Sequence, residues 1–172
     1  ISAGDDGIHS ETWLTIHDGT ITVEESNEGI EGMKIEINGG SISVSSEDDG
    51  INAAASTGDE TVDSERQKME ANPDVYVRIA GGEISISPGA DGIDSNGDVY
   101  VTGGAIYISG PETGGEGSLD YNGTAYISGG VFAAAGSAGM AQAFSENSEQ
   151  AMLMVYYEES QEAGTAITLT DQ

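Results

Sequence analysis

Asp91-Gly92-Ile93-Asp94 is one copy of a tetrapeptide that returns along the chain. The other copies are Asp6-Gly7-Ile8-His9, Glu28-Gly29-Ile30-Glu31, Asp49-Gly50-Ile51-Asn52 and, degenerately, Gly117-Ser118-Leu119-Asp120. Gly7 to Gly29 is 22 residues, Gly29 to Gly50 is 21, and Gly50 to Gly92 is 42, or two such periods. A period near 21 with alternating apolar residues inside each unit is the signature of a β-solenoid.

A second repeat lies between the tetrapeptides. Ile79-Ala80-Gly81-Gly82-Glu83-Ile84-Ser85-Ile86 is typical, with counterparts beginning at Ile16, Ile37, Val101 and Ile127. Each reads as two short strands of period-two alternation flanking a glycine corner. Alignment gives five apolar columns. They are headed by Ile8, Leu14, Ile16, Ile21 and Val23 and run through the later copies to Leu119, Ala125, Ile127, Phe132 and Ala134. One rung alone cannot bury its apolar face, and stacked neighbours complete it. The expected fold is all-β: a right-handed parallel β-helix of about five rungs, three strands each. The hand follows the general rule for parallel crossovers.

One domain suffices for 172 residues. Within 1–172 the rungs occupy 1–137. A polar loop at 56–73 interrupts the third rung, with a helical turn expected in 64–71. Segments 151–157 and 165–169, within 138–172, read as two strands capping the C-terminal end, as solenoids require. The chain opens mid-repeat at Ile1-Ser2-Ala3-Gly4, so a fragment of a longer secreted protein is expected, with a preceding rung or cap.

Thirty-one acids against four bases give a net charge of -27. That argues against nucleic acid as a partner and against an anionic membrane surface. It also implies self-repulsion unless cations bind. There are no cysteines, which removes disulfides and thiolate metal sites. No apolar run reaches membrane-spanning length, and a monomer is expected.

Stacking places Asp6, Glu28, Asp49, Asp91 and Glu116 in one column and His9, Glu31, Asn52, Asp94 and Asp120 in the next. Calcium takes oxygen ligands at about 2.3–2.6 Å. Twice that is close to the strand spacing of about 4.8 Å, so Ca2+ fits between carboxylates of successive rungs. The candidate ligands are Glu28, Glu31, Asp49, Asn52, Asp91, Asp94 and Asp120, with corner carbonyls completing the shell. Zinc is not expected, and His9 and His17 read as solvated. The competing explanation of the acids is simple turn formation by Asp-Gly.

Outward positions of the second strand give a different surface. One column is Trp13, Lys34, Tyr76, Asp98 and Thr124; its neighbour is Thr15, Glu36, Arg78, Tyr100 and Tyr126. The only tryptophan, three tyrosines and two of the four bases fall there. Aromatic faces stack on sugar rings and bases pair with uronate carboxylates. The candidate carbohydrate-binding residues are therefore Trp13, Lys34, Tyr76, Arg78, Tyr100 and Tyr126, against the alternative of ordinary cross-strand stacking.

The rungs, with Ile106-Tyr107-Ile108-Ser109-Gly110-Pro111, Gly117-Ser118-Leu119-Asp120-Tyr121, Ala135-Gly136-Ser137-Ala138-Gly139-Met140-Ala141-Gln142 and Gln161-Glu162-Ala163-Gly164-Thr165, carry a resemblance. The chain resembles the calcium-binding, carbohydrate-binding-domain family of clostridial and related Gram-positive secreted proteins. The resemblance implies a β-helix similar to family 9 polysaccharide lyases, bound calcium, acidic plant polysaccharide as partner, and a secreted or cell-surface location. Its calcium pattern carries over to Asp49, Asn52, Asp91 and Asp94 best. Glu28, Glu31 and Asp120 follow where the motif is altered, and His9 departs from a carboxylate. Two other functions stand beside noncatalytic binding: a structural stalk or adhesin segment, and a calcium-dependent polyuronate lyase using Lys34, or less readily Arg78, as base.

Overall fold

The computed structural model describes residues 1–55, 70–112, 114–162 and 164–170. They form twelve strands and, among the described residues, no helix. In chain order these are β1 (Ile8–Ile16), β2 (Thr20–Val23), β3 (Ile30–Ile37), β4 (Ser41–Ser45), β5 (Ile51–Ala53) and β6 (Tyr76–Ile79). They continue as β7 (Glu83–Ser87), β8 (Ile93–Ser95), β9 (Asp98–Val101), β10 (Ala105–Ser109), β11 (Ala125–Ile127) and β12 (Val131–Ala135). All pairings are parallel, each joining one rung to the next. The chain is a parallel β-solenoid of about five turns.

The third strand of every rung forms one sheet, ordered β12-β10-β7-β4-β2. The first and second strands share the other sheet. In the first two rungs these strands are fused into the long β1 and β3, with a register shift between Ser10 and Trp13. From the third rung on they separate, so β5 and β8 continue from the N-terminal half of β3 while β6, β9 and β11 continue from its C-terminal half. In the last rung the first strand shrinks to a single bridge, Ile93 to Leu119.

The register aligns the apolar columns as the repeat predicts: Ile35, Val77 and Val99 are in line, as are Ile42, Ile84 and Ile106. All six are buried. The columns loosen at both ends, where Ile8, Ile21 and Phe132 are half-buried and Ala134 is exposed, because an end rung has a neighbour on one side only. At the corner between second and third strands, Gly19, Gly40, Gly82, Gly104 and Gly130 all have φ between 84° and 117°. That region is nearly closed to residues with a side chain.

Two expectations need correction or fall outside view. The strands expected at 151–157 and 165–169 do not form; described residues of both segments are exposed and unpaired as strands. A strand pattern gains its hydrogen bonds only beside a partner edge, and an earlier segment has taken the one available on β11. The Ser145 amide donates to the Ala125 carbonyl at 2.7 Å and the Glu149 amide to that of Ile127 at 3.0 Å. Phe144 is buried there, edge-on to Phe132 with ring centroids 4.9 Å apart. The inserted loop and its helical turn lie mostly in 56–69, outside the described residues.

Candidate functional site

The turn before each first strand hangs on the turn of the next rung. The amides of Gly7, Gly29, Gly50 and Gly92 donate to the carbonyls of Glu28, Asp49, Asp91 and Gly117 at 2.9, 2.9, 2.8 and 3.1 Å. The first column is therefore Asp6, Glu28, Asp49, Asp91 and Gly117. Glu116, expected in it, precedes it by one residue, because the degenerate last motif puts a glycine where the others have an acid. The second column stacks as expected: His9 on Glu31, Glu31 on Asn52, Asn52 on Asp94.

Three acids converge at the C-terminal end. Ligand oxygens of Asp91, Asp94 and Asp120 lie within 4.8 Å of one another. Asp91 is held by the Gly117 amide at 2.5 Å, and Asp120 by the Tyr121 amide at 2.8 Å and the side-chain amide of Gln142. Gln142 was no site candidate from the rungs; it reaches Asp120 because the segment after β12 folds back over the last rung. One rung earlier, the Asp49 carboxylate accepts from the Asp91 amide at 2.9 Å. Two acceptor oxygens nearby have no partner although fully shielded from solvent: Glu28 Oε2 and Asn52 Oδ1. A buried oxygen without a donor is costly.

The electrostatics agree. Burial pushes the Glu28 carboxyl up to about 7, Asp49 to about 8, Asp94 to about 7 and Asp91 to about 6. Neighbouring carboxylates add to each: Glu31 and Asp6 at Glu28, Asp94 and Asp91 at Asp49, Asp120 at both Asp91 and Asp94. A hydrogen bond with Asn52 offsets part of the rise at Glu28. Glu31 is likewise raised, chiefly by burial. An oxygen-only donor set with several carboxylates and too few protein cations suits a hard divalent ion.

His9 is exposed, as its sequence position suggests, yet three acids surround it. Its Nδ1 meets Glu31 and lies 3.2 Å from Asp6 Oδ2, while Nε2 is 3.5 Å from Glu11 Oε1. The Glu31 hydrogen bond raises its pKa. The imidazole thereby sits against the acids at the top of the column. His17 stays exposed, with Nδ1 3.4 Å from Asn38 Nδ2.

The second-strand face carries the other candidates, in the register expected. Lys34 Nζ sits 5.9 Å from the Trp13 ring centre, and Trp13 meets Tyr76 edge-on at 6.4 Å. The Arg78 guanidinium lies between two rings, 5.7 Å from Tyr76 and 5.6 Å from Tyr100. Hydroxyls are tied back to acids: Tyr76 to Glu36 at 3.1 Å and Tyr100 to Asp98 at 2.7 Å. A groove of about 580 Å³ runs beside this ladder, lined by Glu36 and Asn38, Arg78 and Ala80, Tyr100 and Thr102, and Tyr126. Trp13, Lys34 and Tyr76 stand in the adjacent column, outside the lining. Cation and rings on an open groove are the elements of a sugar-binding surface.

A family model described as carbohydrate-binding domain-containing protein matches residues 1–163. The chain belongs to that family. No curated protein and no solved structure matches it. Membership of a carbohydrate-binding family supplies the class of ligand, a carbohydrate. The described residues hold two surfaces of different chemistry: acid columns at the first strands and an aromatic groove at the second.

Proposed function

We propose that this chain is a calcium-stabilised, noncatalytic module that binds acidic plant cell-wall polysaccharide of the pectin or polygalacturonate kind, as a monomer secreted or attached at the surface of a Gram-positive bacterium. The observation that carries the binding reading is Arg78, set between Tyr76 and Tyr100 on an open groove in a member of a carbohydrate-binding family. A guanidinium offers paired donors to a carboxylate, and flanking rings offer faces to pyranose carbons.

Calcium is supported by the orphaned oxygens of Glu28 and Asn52 and by the convergence of Asp91, Asp94 and Asp120. Glu28, Glu31, Asp49 and Asn52 would serve the upper rungs and Asp91, Asp94 and Asp120 the lower. The ion's part is neutralisation; the protein's part is holding like charges close enough to share it.

Retention on insoluble pectin in calcium buffer tests the reading. Wild type is retained, and Arg78→Ala and Trp13→Ala are released at lower salt; retention equal to wild type in both would sink the proposed face. The lyase alternative predicts a calcium-dependent rise in absorbance from unsaturated product on polygalacturonate, lost in Lys34→Ala. Lys34 is engaged with Asp74 at 3.4 Å, which supports a positioning rather than a proton-abstracting role. A purely structural stalk would show no retention at all.

A further inference from the structure

The groove has a direction. Glu36 and Asn38 come from the second rung, Arg78 and Ala80 from the third, Tyr100 and Thr102 from the fourth, and Tyr126 from the fifth. Successive rungs offer the same outward positions, so the groove runs across the strands, along the solenoid axis. At about 4.8 Å per strand, four rungs span roughly 14 Å. A linear glycan extended on this line brings about one sugar past each rung.

The lining is not uniform in charge. Arg78 is its single cation and Glu36, one rung away, its single anion. No ion pair joins the two among the described residues. Glu36 instead accepts from the Tyr76 hydroxyl at 3.1 Å, and the Arg78 guanidinium lies over the Tyr76 and Tyr100 rings. Beyond Arg78 the groove offers only rings and a hydroxyl, from Tyr100, Thr102 and Tyr126. A carboxylate is welcome at one position, opposed at the next, and unassisted at the others.

We propose that the groove takes a linear heteropolysaccharide laid along the solenoid axis, with an anionic sugar against Arg78 and a neutral sugar against Glu36. This rests on the carbohydrate-binding reading above and sharpens its ligand class to glycans alternating uronic acid with neutral sugar. In a homopolyuronate the sugar beside Glu36 carries a carboxylate of its own. Like charges juxtaposed across an interface are penalised, which is how such surfaces discriminate. The neutral sugar gains instead from hydrogen bonds between its hydroxyls and Glu36 and Asn38.

Calorimetric titration of the whole chain in calcium buffer at fixed salt tests this. The probes are tetragalacturonate, a tetrasaccharide alternating uronic acid with a neutral deoxyhexose, and neutral cellotetraose. The alternating probe should bind about tenfold more tightly than tetragalacturonate, a difference of about 1.4 kcal/mol. Glu36→Gln should close most of that gap by strengthening tetragalacturonate, while Arg78→Ala should bring the alternating probe down to the neutral one. Tetragalacturonate binding as well as the alternating probe, or a ratio unmoved by Glu36→Gln, overturns the charge pattern. Cellotetraose binding best overturns the role given to Arg78. Retention on pectin with no binding of any tetrasaccharide overturns the groove while leaving carbohydrate binding intact. Loss of both overturns the carbohydrate-binding reading itself.

Discussion

Arg78 shows what one residue contributes on this surface. Its charge could be supplied by lysine, but its broad planar guanidinium over two rings could not. Arg78→Lys should therefore keep part of the retention on pectin and Arg78→Ala should lose about tenfold in affinity, as expected for a charge-assisted contact. Arg78→Lys binding as tightly as wild type in a titration would show that the guanidinium's geometry is irrelevant. Alternation along the second strand made Arg78 and Tyr100 legible as neighbours before any coordinates. Gly50 is constrained by packing rather than by backbone angle. Its position after Asp49 looks like a turn glycine, yet its φ is not positive. A methyl there would collide with the Ile86 side chain and lie 2.7 Å from the Gly92 carbonyl oxygen. The glycine lets the third strand's apolar column press against the turn, a constraint that appears only once the rung is closed. Gly50→Ala should lower stability by about 1–3 kcal/mol through overpacking, measured by denaturant unfolding; an unchanged midpoint would refute the close packing.

At the scale of the strand and its neighbours, stacking turns single acids into columns. The period alone specified the second column, because Glu31, Asn52 and Asp94 keep a fixed offset from the buried isoleucines. It could not specify the fifth turn, where a glycine replaces the acid, nor that Gln142 returns to hold Asp120. The failed strands at 151–157 and 165–169 have the same origin. Their alternation was real, but which segment reaches the β11 edge depends on Phe144 finding Phe132, a contact no local pattern encodes. Asp94→Asn should reduce calcium stabilisation most, since Asp94 converges with Asp91 and Asp120 and also stacks on Asn52; calcium titration followed by melting temperature reads the loss. Without calcium, the raised carboxyls set the sign of the pH response. Glu28, Asp91, Asp94 and Asp49 bind protons more tightly folded than unfolded, with folded values of about 7, 6, 7 and 8. Their stabilising contribution is complete below the ordinary carboxylate value of about 4. It is lost as pH rises through about 6 to 8. His9, also raised, acts in the same direction. Chelated protein should thus melt at a higher temperature at pH 5 than at pH 8; a melting temperature that falls on acidification over that range would contradict the burial of these groups.

For the molecule as a whole, a net charge of -27 has to be reconciled with a fold that stacks acids at strand spacing. Buried apolar columns drive the stacking, and the calcium proposed between rungs would let the acids follow. The aromatic groove stands on the second strands and the acid columns on the first, within one sheet, so the proposed ion sites and the proposed ligand face use separate residues. On this proposal the stability of the stacked acids rests on such cations. Thermal unfolding at pH 7.5 with millimolar calcium and with excess chelator tests it most directly. One site held at 100 times its Kd contributes about 2.7 kcal/mol. At roughly 2–4 °C per kcal/mol for a chain of this size, calcium should raise Tm by about 5–10 °C per occupied site. Identical melting curves with calcium and with chelator would contradict the account.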